Sequence, residues 1–141
     1  MNKNNSQNWK EYFQRSAEYY SDPRFKMGYQ IAGRPVPMEV IHTTINDVYD
    51  KMKLSSESIL LDVGGGVGFF SKIFNQKIKS VVTTDISFNM MKSGHFSEGS
   101  CLVCESSFLP FRESSFNRLL CYSVFHYLEN LDHVKKTILE F

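Results

Sequence analysis

The stretch Leu60-Leu61-Asp62-Val63-Gly64-Gly65-Gly66-Val67-Gly68 decides how this chain is read. An apolar run over residues 58–63 has the length and β-branched content of a strand, and it ends in a glycine loop. Residues 69–74 then continue with helical spacing. Glycines at a strand tip let the backbone turn sharply and approach a ligand without Cβ clashes. The start of the following helix suits a negatively charged or carboxylate-bearing ligand. Two phosphate-binding motifs are excluded. GxGxxG requires glycine at position 69, which is Phe69, and no Lys followed by Ser or Thr completes GxxxxGK. What remains is an acid, Asp62, just before the first glycine. It suits a ligand with a cationic end and would repel a phosphate.

Downstream, strands and helices alternate. Residues 81–85 form a β-branched strand closed by Asp85, and residues 88–92 a short helix followed by Gly94. Residues 101–105 read as a third strand, 116–122 as a fourth, and 131–141 as a helix with Leu131, Val134, Ile138 and Leu139 on one side. This order predicts right-handed βαβ units and a parallel sheet with helices on both faces, an α/β Rossmann-like fold. A carboxylate at Asp85 can accept both hydroxyls of a ribose. Glu105 and the backbone N–H of Ser106, closing the third strand, can read the amine and a ring nitrogen of adenine.

Upstream, Val40, Ile41, Ile45, Val48, Tyr49 and Met52 recur at spacings of three and four and predict an amphipathic helix ended by Ser55 and Ser56. Trp9, Tyr12, Phe13 and Ser16 fit one face of another helix, and Gly33 to Pro37 reads as a loop. Residues 1–8 are polar and expected to be disordered. Tyr12, Tyr19 and Tyr20 are assigned to packing in preference to an aromatic cover over a cation. Residues 1–36 are taken as an N-terminal tail and helical or lid segment, and residues 37–141 as an incomplete cofactor-binding domain.

The chain has 141 residues, 42 % of them hydrophobic and 22 % charged, a composition that allows one globular domain. A net charge of +1 calls for neither nucleic acid nor an anionic membrane as partner. No apolar run has the length of a membrane span, and the polar N-terminus lacks the apolar stretch of a secretory signal, so a cytoplasmic protein is expected. Cys101, Cys104 and Cys121 lack framework spacing. Cys101 and Cys104 point to opposite faces of a strand, and buried apolar roles are expected for these thiols, with no metal site.

Three segments in this order carry a family resemblance: LLDVGGGVG at 60–68, VVTTDISFNMM at 81–91 and CESSFLPFRESSFNRLLCYSVFHYL at 104–128. The sequence resembles the class I S-adenosylmethionine-dependent methyltransferases, especially their small-molecule group, over roughly residues 57–141. The resemblance implies S-adenosyl-L-methionine as cofactor and a small-molecule methyl acceptor. It implies that Asp62, Gly64 and Gly66 line the methionine part of the cofactor. Asp85 would bind the ribose, Ile86 would lie against the adenine, and Glu105 and Ser106 would meet the adenine edge. Cys121 would sit beside the sulfonium, and His126 is the candidate base. The sequence departs from the family pattern at Gly65, Phe88 and Asn117, and Tyr127 stands where the family has its histidine.

The family sheet has seven strands, of which the sequence supplies four before Phe141. A C-terminally truncated chain is therefore expected, with an open sheet edge prone to self-association. Two rival functions remain: a cofactor-binding paralogue or fragment without activity, and a nicotinamide-dependent oxidoreductase, which Phe69 and Asp62 disfavour.

Overall fold

A computed structural model describes residues 8–97 and 99–141. Of the residues expected to be disordered, 1–7 lie outside that range, whereas Asn8 is ordered and caps a helix. Its side-chain oxygen accepts from the backbone N–H of Glu11 at 3.1 Å and opens α1, Trp9–Tyr19. Asp22 caps the short α2, Pro23–Lys26, in the same way, with proline in its first turn. A two-residue hairpin follows, β1 (Gln30–Ile31) with β2 (Arg34–Pro35), where the sequence suggested only a loop. Ala32 and Gly33 both take positive φ at its turn, the requirement of a tight hairpin.

The amphipathic helix expected near Val40 is α3, Met38–Lys51. It buries Ile41 and Ile45 and leaves Val40 exposed. The alternating part then runs β3 (Ile59–Val63), α4 (Phe69–Phe74), β4 (Ser80–Asp85), α5 (Phe88–Gly94), β5 (Cys101–Val103), β6 (Arg118–Leu120) and α6 (Leu131–Leu139). A single 3-10 turn, Phe125–Tyr127, precedes α6. The four strands β3 to β6 form a parallel sheet in the order β5-β4-β3-β6. The α/β Rossmann-like architecture holds. β5 and β6 are shorter than the sequence implied, so Glu105 and Cys121 lie in the loops beyond their strands.

Strand parity decides what each side chain meets. Leu60 pairs in register with Val81 and Arg118, and Asp62 with Thr83 and Leu120. Leu60, Val81 and Leu120 therefore share a face, and they join Ile41, Ile45, Phe70, Phe74 and Ile78 in the main core. Phe74, Ile45 and Leu60 are at most 1 % exposed. Truncating a ring such as Phe74 to alanine costs ~3–5 kcal/mol on this scale. A smaller cluster, Ala17, Val67 and Met90, joins α1 and α5 to the glycine loop.

Three of the four residues of the apolar stripe read on α6 face outward, Val134 being half-buried. Leu131, Ile138 and Leu139 are 67, 54 and 84 % exposed, while Thr137 is buried. Among the described residues, β6 pairs only with β3.

Candidate functional site

The chain steps outward from β3 through β4 to β5 and then crosses back to place β6 on the other side of β3. Ligands of open α/β sheets bind beyond the strand C-termini at such a reversal. A cavity of about 250 Å³ lies there. Its floor comes from Val63 and Gly64 at the end of β3, Asp85 and Ile86 at the end of β4, Cys104 to Ser106 after β5, and Tyr122 to Val124 after β6. Its roof is the N-terminal segment, with Trp9, Phe13, Met27 and Tyr29 facing in.

Five residues expected at the cofactor come together on this wall: Gly64, Asp85, Ile86, Glu105 and Ser106. Asp85 accepts from the backbone N–H of Gly66 at 2.9 Å and of Ser87 at 2.8 Å. Burial pushes its carboxyl up to about 6, against the opposing pull of those amides. Gly64 has φ +72, and a side chain there would run into Val124. The Ser106 hydroxyl is 3.1 Å from that of Thr137, which ties the β5 loop to α6.

Four others stand off the wall. Asp62 shares the Leu60 face of β3 and so points under α4, away from the cavity. Its carboxylate accepts from the Ser71 hydroxyl, which in turn accepts from Thr83 at 2.6 Å. Burial pushes Asp62 up to about 6, with Ser71 pulling it down and Asp85 adding to the rise. Gly66 is buried, and its φ of +56 and contact with Met27 leave no room for a Cβ. Cys121 is half-buried, and its thiol is pushed up to about 11 by burial and then by Asp62. His126 is exposed on the 3-10 turn, its ring against Tyr127 at a centroid distance of 3.8 Å. The imidazole on the cavity wall belongs to His133.

Which side chains form the roof was not legible in the sequence. Trp9 and Phe13 pack edge-on to Tyr127 at 4.7 and 5.1 Å. Tyr12 and Tyr19, by contrast, are exposed, and Tyr20 stacks on Phe25. Gln14 holds α1 in place. Its side-chain oxygen accepts from the Ser87 hydroxyl at 3.0 Å and from the backbone N–H of Asn89 at 2.8 Å. Lys26 donates to the Ser93 hydroxyl at 3.0 Å. The aromatic spacing marked a helical face, but nothing local says that this face lies over the strand tips.

A parallel sheet with a glycine loop after one strand, an acid after the next and a cavity at the reversal defines a Rossmann-like nucleotide-cofactor domain. A family model described as a methyltransferase domain matches residues 61–140, and the chain belongs to that family.

Solved structures share the fold. Phosphoethanolamine N-methyltransferase 1 of Haemonchus contortus, in complex with phosphoethanolamine and S-adenosylhomocysteine, aligns with a TM-score of 0.76 at 16 % identity. The alignment covers 95 % of this chain and 28 % of that one. Magnesium protoporphyrin IX methyltransferase of Synechocystis, with bound S-adenosylmethionine, gives 0.65 at 16 % identity over 98 % of this chain and 71 % of that one. The YcgJ protein of Bacillus subtilis gives 0.62 at 19 % identity over 70 and 44 %. S-adenosylmethionine as the cofactor accords with the ligands held by the first two. This chain thus spans well under two thirds of the worm and Bacillus proteins. A comparison with curated proteins found no match. No helix among the described residues is long and apolar enough to cross a membrane.

Proposed function

We propose that this chain binds S-adenosylmethionine and takes part in methyl transfer to a small-molecule acceptor. The observation that carries the reading is one cavity bringing together Asp85 after β4 with Glu105 and Ser106 after β5. That donor set fits an adenosine: a carboxylate for the ribose hydroxyls, and a carboxylate with a backbone amide for the adenine edge. Ile86 and Met90 supply apolar walls for the base. A cytoplasmic setting goes with this reading.

Bound there, S-adenosylmethionine supplies a methyl group on a positively charged sulfur, ready for in-line displacement. The work of the chain is alignment and exclusion of water, and alignment is worth up to ~7–11 kcal/mol of barrier. Trp9, Phe13 and Tyr127 close the roof with rings and keep water out. Asp62 is held between β3 and α4 by the Ser71 hydroxyl, which Thr83 supports in turn. A base for a protonated acceptor is sought on the wall at His133 in place of the outward-facing His126.

Calorimetric titration with S-adenosylmethionine and S-adenosylhomocysteine tests the first half. Transfer of label from methyl-labelled S-adenosylmethionine to pooled amines, phenols and thiols tests the second. Absence of binding would sink the reading. Binding without transfer would favour a silent cofactor-binding protein.

A further inference from the structure

The face that α6 turns inward is its polar one. His133, Thr137 and Glu140 follow one another at spacings of four and three and so share one side of the helix. His133 lines the cavity. Thr137 is fully buried, and its hydroxyl lies 3.1 Å from that of Ser106. Glu140, just past the last turn, accepts from the backbone N–H of Leu109 at 2.9 Å. Burial of apolar area alone would turn the stripe of Leu131, Ile138 and Leu139 inward. The rotation of α6 matches the polar contacts instead.

Two of these contacts land on one loop, residues 104–109. The sheet holds its start, where the Cys104 N–H donates to the Asp85 carbonyl at 3.1 Å. Its middle closes on itself, the Phe108 N–H donating to the Glu105 carbonyl at 3.1 Å. Beyond Cys104, the hydrogen bonds that tie this loop to other elements among the described residues are those of Ser106 with Thr137 and of Leu109 with Glu140. Glu105 lines the cavity but is exposed, so burial of its own side chain does not set its place.

We propose that α6 positions the loop that reads the base, with Thr137 holding Ser106 through its hydroxyl and Glu140 holding the far end at Leu109. This rests on the S-adenosylmethionine reading and deepens it, by naming what governs the choice of base. Thr137 lies outside the cavity lining and acts through Ser106, so it is a positioning residue. The helix after β6 then contributes to discrimination between purines as well as to the packing of the sheet.

Thr137→Val keeps the shape of the side chain and removes its hydroxyl, whereas Thr137→Ser keeps the hydroxyl. The probes are S-adenosylhomocysteine and S-inosylhomocysteine, in which a carbonyl replaces the adenine amine. Dissociation constants are measured by calorimetry on the 141-residue chain, with the melting midpoint recorded for each variant. The wild type is expected to prefer the adenine probe by roughly tenfold or more. In Thr137→Val that preference shrinks roughly threefold to tenfold, the scale of one neutral hydrogen bond, because the adenine probe alone weakens. Thr137→Ser restores it. Equal weakening of both probes in Thr137→Val would mean a general loosening of the cavity and would overturn the proposal. So would an unchanged preference. Where Thr137→Val does not fold, Glu140→Ala at an exposed position takes its place, with the same outcomes for and against. A wild-type chain that binds both probes alike leaves the cofactor reading standing and overturns the proposal. If it binds neither, the cofactor reading itself falls and takes the proposal with it.

Discussion

Asp85 Oδ2 accepts a hydrogen bond from the backbone N–H of Gly66 at 2.9 Å, so the acid that closes β4 also holds the glycine loop that follows β3. Its other oxygen takes the Ser87 amide at the start of α5. One carboxylate therefore joins two adjacent strand tips that line the cavity.

On the proposed reading, replacing it removes the ribose contact and slackens the loop together. Asp85→Ala is expected to weaken S-adenosylmethionine binding by ~1.5–3 kcal/mol, the range for hydrogen bonds to a charged group. Calorimetry on the folded variant is the check. An unchanged dissociation constant would show that Asp85 does not bind the ribose.

Asp62 gives a stability effect with a definite sign. Its carboxyl is pushed up to about 6 in the folded chain by burial. The neutral form is thus favoured in the fold, and the ordinary value of ~3.9 applies when the chain unfolds. The contribution is present below the unfolded value and is lost as pH rises through the folded one. From pH ~4 to ~7 the wild type is expected to lose on the order of 3 kcal/mol through this group, at 1.36 kcal/mol per unit. Asp85 adds a loss of the same sign. Asp62→Asn cannot ionise, so urea unfolding across that window should show a flatter profile for the variant. Parallel profiles would refute the assignment.

Much of the sheet was legible because strand and helix periods differ and glycine marks the turn between them. The loop at Gly64 to Gly68, the acid at Asp85 and the helix over Phe69–Phe74 followed from local pattern alone. Asp62 shows where that stops. Sequence places it at the strand tip, but strand parity and the cover of α4 turn it towards Ser71, and parity alone does not say which face is roofed. Tyr29, Met27 and Trp9 were invisible as site residues for a related reason. They reach the cavity by long-range docking through Gln14 and Lys26, which carries no local signature. The stripe on α6 was read correctly as apolar, but what covers it is a property of neighbours and not of the helix.

Gly66 is held by two constraints, a left-handed φ of +56 and the Met27 side chain against its Cα. Gly66→Ala is expected to cost about 2 kcal/mol or more, since overpacking alone costs ~1–3 and left-handed backbone adds ~1–2. The double variant with Met27→Ala should recover part of that loss, because the two residues share one space. Denaturant unfolding of the four proteins completes the cycle, and strict additivity would mean that Met27 does not press on the loop.

The cofactor preference is open to a direct contest. A nicotinamide dinucleotide needs a pyrophosphate site at the loop and the first turn of α4, with glycine where Phe69 stands. Here Phe69 stacks on Tyr29, and the amides of residues 64–68 are engaged within the protein. S-adenosylhomocysteine is expected to bind at least tenfold more tightly than NAD, a gap of ~1.4 kcal/mol. Tighter NAD binding in the same titration would reverse the reading.

Finally, the outer side of β6 and the exposed face of α6 lie next to one another, with Leu61, Leu119, Leu139 and Phe141 around one groove. Unpaired strand edges beside apolar surface are templates for association. Of these residues Leu139 is 84 % exposed, so a charge there disturbs little inside the chain. The 141-residue chain is therefore expected to self-associate as concentration rises. Leu139→Lys should shift it towards the monomer, because a second copy could no longer cover that spot without burying an unpaired charge. The melting midpoint should stay unchanged at low concentration, where association contributes nothing to stability. Sedimentation velocity across a concentration series reads the effect. A wild-type chain that stays monomeric throughout would show that this surface does not meet its own kind, and an unchanged profile for the variant would place the contact elsewhere.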